Sequence, residues 1–113
     1  METDPPSFKR AGIQAGVDDA LRVAAKHFGV SVTDLGSARR TSLIHPARVW
    51  AAYLASRTND ENLASIARNL NRDVTIIAMY VRAQARLIAA NEENFRLCCK
   101  LMRQTCKARR RLE

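Results

Sequence analysis

The residues best suited to chemistry form one short run, Arg72-Asp73-Val74-Thr75-Ile76. Arginine can hold a phosphate, threonine can hydrogen-bond a base edge, and valine or isoleucine can contact a thymine methyl group. Asp73 is also a good N-cap, because its carboxylate can accept the free backbone N–H groups of a helix that follows it. The run therefore predicts a corner that opens a helix suited to binding.

Apolar residues at helical spacing flank this run, over residues 62–70 before it and 74–90 after it. Two helices joined by a tight turn form a helix-turn-helix, which places its second helix in the major groove of duplex DNA. In that arrangement the side chains that project away from the core would be Val74, Thr75, Ala78, Met79 and Arg82.

A basic loop precedes the helix predicted at residues 45–56. Arg39 and Arg40 lie in the loop, and Arg48 lies one turn into the helix. A loop arginine can enter a narrow minor groove, and an arginine near a helix N-terminus can help to hold a phosphate. Taken alone, Arg39 and Arg40 are ordinary solvated charges. The order of basic loop, capped helix and helix-turn-helix favours DNA contacts by Arg39, Arg40, Arg48 and Arg72.

Composition points to a polyanionic partner. The 113 residues include 19 Lys and Arg against 11 Asp and Glu, for a formal net charge of +8. Such an excess attracts nucleic acid first and an anionic membrane next. No apolar run approaches the roughly 20 residues that a membrane span needs, and the acidic, proline-containing start is unlike a secretory signal. We expect a cytoplasmic, nucleoid-associated protein with no membrane partner.

Motifs for catalysis, cofactors or metals are not apparent. The four glycines are scattered and form no phosphate-binding loop. Ser42, His45 and Asp60 could be written as a triad, but nothing in their spacing orders them. Three cysteines, Cys98, Cys99 and Cys106, fall in one predicted helix, which suits apolar filling in a reducing compartment. We therefore predict no enzyme activity.

The chain divides into a disordered tip at residues 1–10, a helical domain at 11–106 and a basic tail at 107–113. The predicted fold class is all-α, a compact multi-helix domain that contains a helix-turn-helix. Besides the segments already named, helices are predicted at 13–28 and 92–109 and a short capped turn at 31–35, with a second capping box at 58–61.

Over residues 17–103 the sequence resembles the C-terminal DNA-binding domain of the bacterial DnaA replication initiators. The matching segments are residues 30–40, 46–48, 63–66 and 72–76. The resemblance implies that Arg40 is a minor-groove arginine and that Arg48 contacts a phosphate. It also implies that Asp73, Val74, Thr75 and Ile76 read bases in the major groove.

Two departures from the family pattern alter the chemistry of the reading segment. The family motif reads Arg-Asp-His-Thr-Thr. This chain has Val74 in place of the histidine and Ile76 in place of the second threonine. The family's Arg-Pro-Arg-Gln is here His45-Pro46-Ala47-Arg48. Stand-alone domains of this type resemble transcription regulators, including the activators of gene-transfer-agent clusters, which implies a co-regulator or a partner that contacts RNA polymerase.

An alternative function belongs to another class. If the helix-turn-helix no longer reads DNA, then Val74, Ile76 and Met79 would form an apolar patch of a protein-interaction module or anti-activator. The dependence of binding on salt distinguishes the two functions. DNA binding weakens steeply as the salt concentration rises, whereas apolar docking does not. The sequence leaves open whether the last helix closes the core or forms a homodimer.

Overall fold

The computed structural model of the protein describes residues 16–58 and 63–112, with side chains described as far as Lys107. These residues form six α-helices and no strand, which confirms the all-α fold class. The predicted tip at residues 1–10, the first turn of the helix predicted from residue 13, and most of the capping box at 58–61 lie outside the described residues. The helices are α1 (Val17–Phe28), α2 (Val32–Leu35), α3 (Ile44–Thr58), α4 (Leu63–Leu70), α5 (Val74–Ala90) and α6 (Glu92–Leu112).

Local sequence signals set the first helix boundaries. Gly29 ends α1 in the left-handed conformation at φ 70°, where a residue without a Cβ avoids strain. The predicted capping box at α2 is confirmed. The hydroxyl oxygen of Ser31 accepts from the Asp34 N–H at 3.0 Å, and the Asp34 carboxylate accepts from the Ser31 N–H at 3.2 Å.

The helix-turn-helix has a three-residue turn between α4 and α5. Asn71 ends α4 at φ 55°, and the N–H of Arg72 reaches back to the Ala67 carbonyl at 2.9 Å. This is a Schellman cap with asparagine in the position that glycine usually occupies. Asp73 then caps α5 as predicted, since its Oδ1 accepts from the Thr75 N–H at 3.3 Å. Together the two caps fix the direction in which α5 leaves α4.

Helix α3 is the centre of the molecule and packs against all five other helices. Among its larger apolar side chains, Trp50, Tyr53 and Leu54 are buried and Val49 is half-buried. Four alanines on its other sides are also buried, so α3 is covered nearly all round rather than along one stripe; they are Ala47, Ala51, Ala52 and Ala55. Thr58 is the last residue of α3, and its hydroxyl donates to the Leu54 carbonyl at 2.6 Å.

The last two helices cover α3 and α1. Their inner faces bury Ile77, Ile88, Cys98 and Met102, while Val81, Phe95 and Cys99 are half-buried. The three cysteines are free thiols, and burial raises the pKa of the Cys98 thiol to about 12. Helix α6 continues past residue 109 to Leu112. Within the described ranges, none of the helices has the length and apolar character needed to cross a membrane.

Candidate nucleic-acid interface

The outer face of α5 is open to solvent from its first turn. Thr75 and Arg82 are exposed, and the side chains of Val74 and Met79 are 41% and 50% exposed. Ile76 and Ala78, predicted to face outward with them, are half-buried. The opposite face carries Ile77, Gln84 and Ile88, which are buried in the core.

The basic loop, residues 36–42, presents two exposed arginines. Arg39 lies 3.8 Å from the Asp34 carboxylate, so its charge is partly paired. Arg40 makes no hydrogen bond or ion pair with any residue that the structure describes. Of the two, Arg40 is the guanidinium more available to an anion outside the protein.

Arg48 occupies a different place from the one that the sequence suggested. Its side chain is fully buried, with 0% exposure, so the expected direct contact with a phosphate is wrong. The Nε donates to the Leu35 carbonyl at 2.7 Å, and Nη2 approaches the carbonyls of Asp34, Ser37 and Arg39 at 3.2, 3.0 and 2.8 Å. The guanidinium fills the inside of the curve that residues 34–39 describe.

The environment of Arg48 is electrostatically costly. Burial, and then the charge of Arg72, lower the pKa of Arg48, while the nearby Tyr80 opposes part of that shift. Its Nη1 is buried without a formed hydrogen bond to any described residue. The group stays protonated because arginine has such a high intrinsic pKa, and a delocalised guanidinium is less strongly hydrated than an ammonium. Carbonyl dipoles stabilise it there in place of a carboxylate.

Arg72 joins the basic loop to the helix-turn-helix. Its Nη2 donates to the Ser37 carbonyl, and its Nη1 donates to the carbonyl of Asn71 at 3.0 Å. The amide of Asn71 also reaches the Gly36 carbonyl at 3.4 Å. The carbonyl of Ser37 therefore accepts from Arg48 and Arg72 together, which holds the basic loop against the α4–α5 turn. Arg72 is half-buried, and these contacts give it a positioning role that the sequence did not indicate.

His45, in the first turn of α3, connects that helix with α5. Its ring packs edge-to-face on Tyr80 of α5, with ring centroids 5.7 Å apart. Burial, and then the positive charges of Arg40, Arg48 and Arg72, lower the pKa of His45. The charges of three arginines from three segments therefore act on His45, at the start of α3. Sequence reasoning gave His45 no role, although it begins the segment that corresponds to the family's Arg-Pro-Arg-Gln.

A shallow groove of about 530 Å³ runs between α4 and the first turn of α5. Arg68 on its wall is exposed and adds a cation that the sequence reading did not single out. Val74, in the first turn of α5, also lines the groove, and the N-terminus of a helix favours an anion. In the described part of the chain, no three histidine, cysteine or acidic side chains converge to hold a metal ion. The groove lining is Ala64, Ala67, Arg68, Asn71, Arg72, Asp73 and Val74.

A short helix, a three-residue turn and a second helix with an exposed outer face define the class of helix-turn-helix domains. The family model described as "Bacterial dnaA protein helix-turn-helix" matches residues 17–83, and the chain belongs to this family.

Curated relatives agree with the family match. The chain is 42% identical over 76 residues to the chromosomal replication initiator protein DnaA of Xanthobacter autotrophicus. It is 37% identical to the protein of that name from Rhizobium meliloti and 36% identical to that from Brucella abortus, each over 76 residues. The alignments cover 66% of this chain but only 15%, 16% and 15% of these relatives. The similarity therefore concerns one small part of the initiators.

Proposed function

We propose that the protein binds double-stranded DNA in a sequence-preferring manner and regulates transcription from the sites that it occupies. The observation that carries the proposal is the link between two exposed elements, the outer face of α5 and the basic loop. The outer face of α5 can enter a major groove, and Arg40 is exposed on the loop that Arg48 and Arg72 tie to the turn before α5. Family membership supports the DNA-binding part of this proposal.

Each exposed group has a role in this proposal. Thr75, Val74 and Met79 meet base edges, since the first turns of a recognition helix lie deepest in the major groove. Arg40 enters the neighbouring minor groove, where the negative potential is strong. Arg39, Arg68 and Arg82 contact phosphates, which add affinity but carry no sequence information. Asp73 and Ile76 flank the base-reading residues, and Arg72 acts mainly through the loop.

To regulate transcription, the DNA-bound protein must affect a promoter or another protein. A protein seated on DNA alters transcription by occupying a promoter or by holding a second protein there. We propose the latter, with a co-regulator or RNA polymerase as partner. Leu87, in the last turn of α5, is 54% exposed and lies away from the turns nearest the DNA, so a protein partner could cover it while α5 remains bound.

Anisotropy titrations with labelled random-sequence and selected duplexes test the DNA-binding part. With four to six phosphates neutralised, the logarithm of the association constant should fall with the logarithm of salt at a slope of about −4 to −5. Arg82→Ala should reduce affinity. Arg22→Ala is the matched control, since it removes an equal charge from the exposed side of α1, which packs against α2, α3 and α6.

Two results would overturn the proposal. One is the absence of duplex binding at low salt by the folded protein. The other is an equal loss of affinity in the Arg82 and Arg22 variants, which would mean attraction by net charge alone. The exposed apolar side chains of Val74, Met79 and Leu87 favour a protein-interaction module as the second candidate. A protein complex that persists in high salt, without any duplex affinity, would support that module instead.

A further inference from the structure

The exposed surface of the first two turns of α5 is made mainly of methyl and methylene groups. Val74 is 41% exposed and Met79 is 50% exposed, and Ala78 is half-buried beside them. Thr75 is the one exposed residue of these turns with a hydrogen-bonding side chain, and it also carries a methyl group. The neighbouring Asp73 directs one carboxylate oxygen at the backbone of Thr75. Hydrogen-bond readout by this surface is therefore limited.

We infer that α5 selects its DNA sites largely through the C5-methyl group of thymine. This inference rests on the proposed DNA-binding function. In the major groove thymine presents a methyl group beside its O4, whereas cytosine presents an N4 donor. Contact of Val74 and Met79 with a thymine methyl group removes apolar surface from water and so stabilises the complex. A cytosine in the same place would leave its N4 donor without a hydrogen-bond partner, which costs free energy.

The charged side chains around this surface do not select between DNA sequences, so any selection depends on its apolar groups. Arg82 and Arg86 are exposed and follow Thr75 at helical spacings of seven and eleven residues, so they share its face. Arg40 is exposed on the basic loop. Contacts of such cations with phosphates fix orientation and carry no sequence information directly. The occupant that fits is thus a major groove rich in methyl groups between two phosphate backbones.

The test uses duplexes enriched from a random 30-base-pair pool by binding to the full chain, then resynthesised with deoxyuridine in place of thymidine. This exchange deletes the methyl groups and keeps every base pair and phosphate. We expect affinity to fall about fourfold for each methyl group that the protein buries. The salt slope should not change, because no phosphate contact is lost.

Protein variants assign the effect to α5. In the double variant Val74→Ala/Met79→Ala the ratio of thymine-duplex to uracil-duplex affinity should shrink toward one. Leu87→Ala, which removes an exposed apolar side chain from the last turn of α5, should keep the wild-type ratio. All three residues are exposed, so the variants should fold, and circular dichroism checks this.

The outcomes separate this inference from the function on which it rests. Equal affinities for thymine and uracil duplexes, with the expected salt slope, would overturn methyl reading and leave DNA binding intact. A ratio that persists in the double variant would place the effect in the shape of the DNA and overturn the role of Val74 and Met79. Failure of the folded protein to bind any duplex at low salt would overturn both.

Discussion

Replacing Arg48 tests whether its side chain is buried and positions the loop or is exposed and contacts a phosphate, because the two roles predict different losses of stability. Arg48→Ala removes one hydrogen bond that is fully buried, to Leu35, and three that are partly buried, to Asp34, Ser37 and Arg39. A buried acceptor left unpaired costs about 1–3 kcal/mol, and partly hydrated acceptors cost less. The side chain also leaves a cavity.

We expect Arg48→Ala to lower the free energy of unfolding by about 3–5 kcal/mol, because the carbonyls lose a charged donor and a cavity remains. Small domains have about 5–15 kcal/mol in total, so this variant should be close to unfolding at 37 °C. An exposed arginine that only touches phosphate would change stability by no more than about 0.5 kcal/mol. The two roles thus differ several-fold in a quantity that can be measured without DNA.

Urea unfolding followed by circular dichroism measures this difference. Arg48→Lys is the sharper variant, since lysine keeps the charge and could still hold a phosphate, but it lacks the planar fork of donors. We expect it to lose about 2 kcal/mol or more, while the matched surface change Arg82→Ala stays within about 0.5 kcal/mol. The DNA affinity of the Arg48→Lys protein should also fall, because the loop that carries Arg40 is no longer held in place.

The reasoning fails if the Arg48→Lys protein is as stable as the wild type. It also fails if Arg48→Ala unfolds normally in urea but lowers the magnitude of the salt slope by about one. That pattern would indicate that Arg48 is exposed and contacts a phosphate, which conflicts with its burial among the carbonyls of residues 34–39.

Three further predictions follow from the site and the core. Arg40→Ala should cost about 1–3 kcal/mol of DNA binding and reduce the salt slope by about one; in anisotropy titrations a wild-type affinity would exclude Arg40 from the interface. Because the pKa of His45 is lowered from 6.5, the unfolded chain binds more protons just below that pH. Stability should therefore be full above pH 6.5 and decline below it, and His45→Gln should flatten this dependence in urea titrations. The Cys98 thiol, fully buried and with its pKa raised to about 12, should resist iodoacetamide at pH 8 until urea is added; mass spectrometry that finds native Cys98 alkylated as fast as the half-buried Cys99 would contradict its burial.

Elements fixed by neighbouring residues could be predicted from the sequence. Asp73 at the start of α5 and the Ser31–Asp34 capping box were predicted because a cap involves residues two or three positions apart. The exposed face of α5 follows similarly from helical spacing, which places Thr75 and Arg82 opposite Ile77.

Features decided by distant contacts could not be predicted in this way. An arginine one turn into a helix looks the same in sequence whether it points outward or inward. Arg48 is buried because a loop segment 9 to 14 residues earlier in the chain curves around it. Arg72 meets Ser37 across 35 residues. Alanine has no strong preference for core or surface, so the all-round burial of α3 was not apparent either.

The shared carbonyl of Ser37 has a consequence for the geometry of a target. Since Arg48 and Arg72 both bind it, the tip of the loop and the start of α5 cannot shift separately. One added base pair lengthens a duplex by about 3.4 Å and turns it by about 35°. Base substitutions between the contacts of the loop and those of α5 should therefore weaken binding much less than a single inserted or deleted base pair. An insertion or deletion would move one of the two grooves away from the element that contacts it.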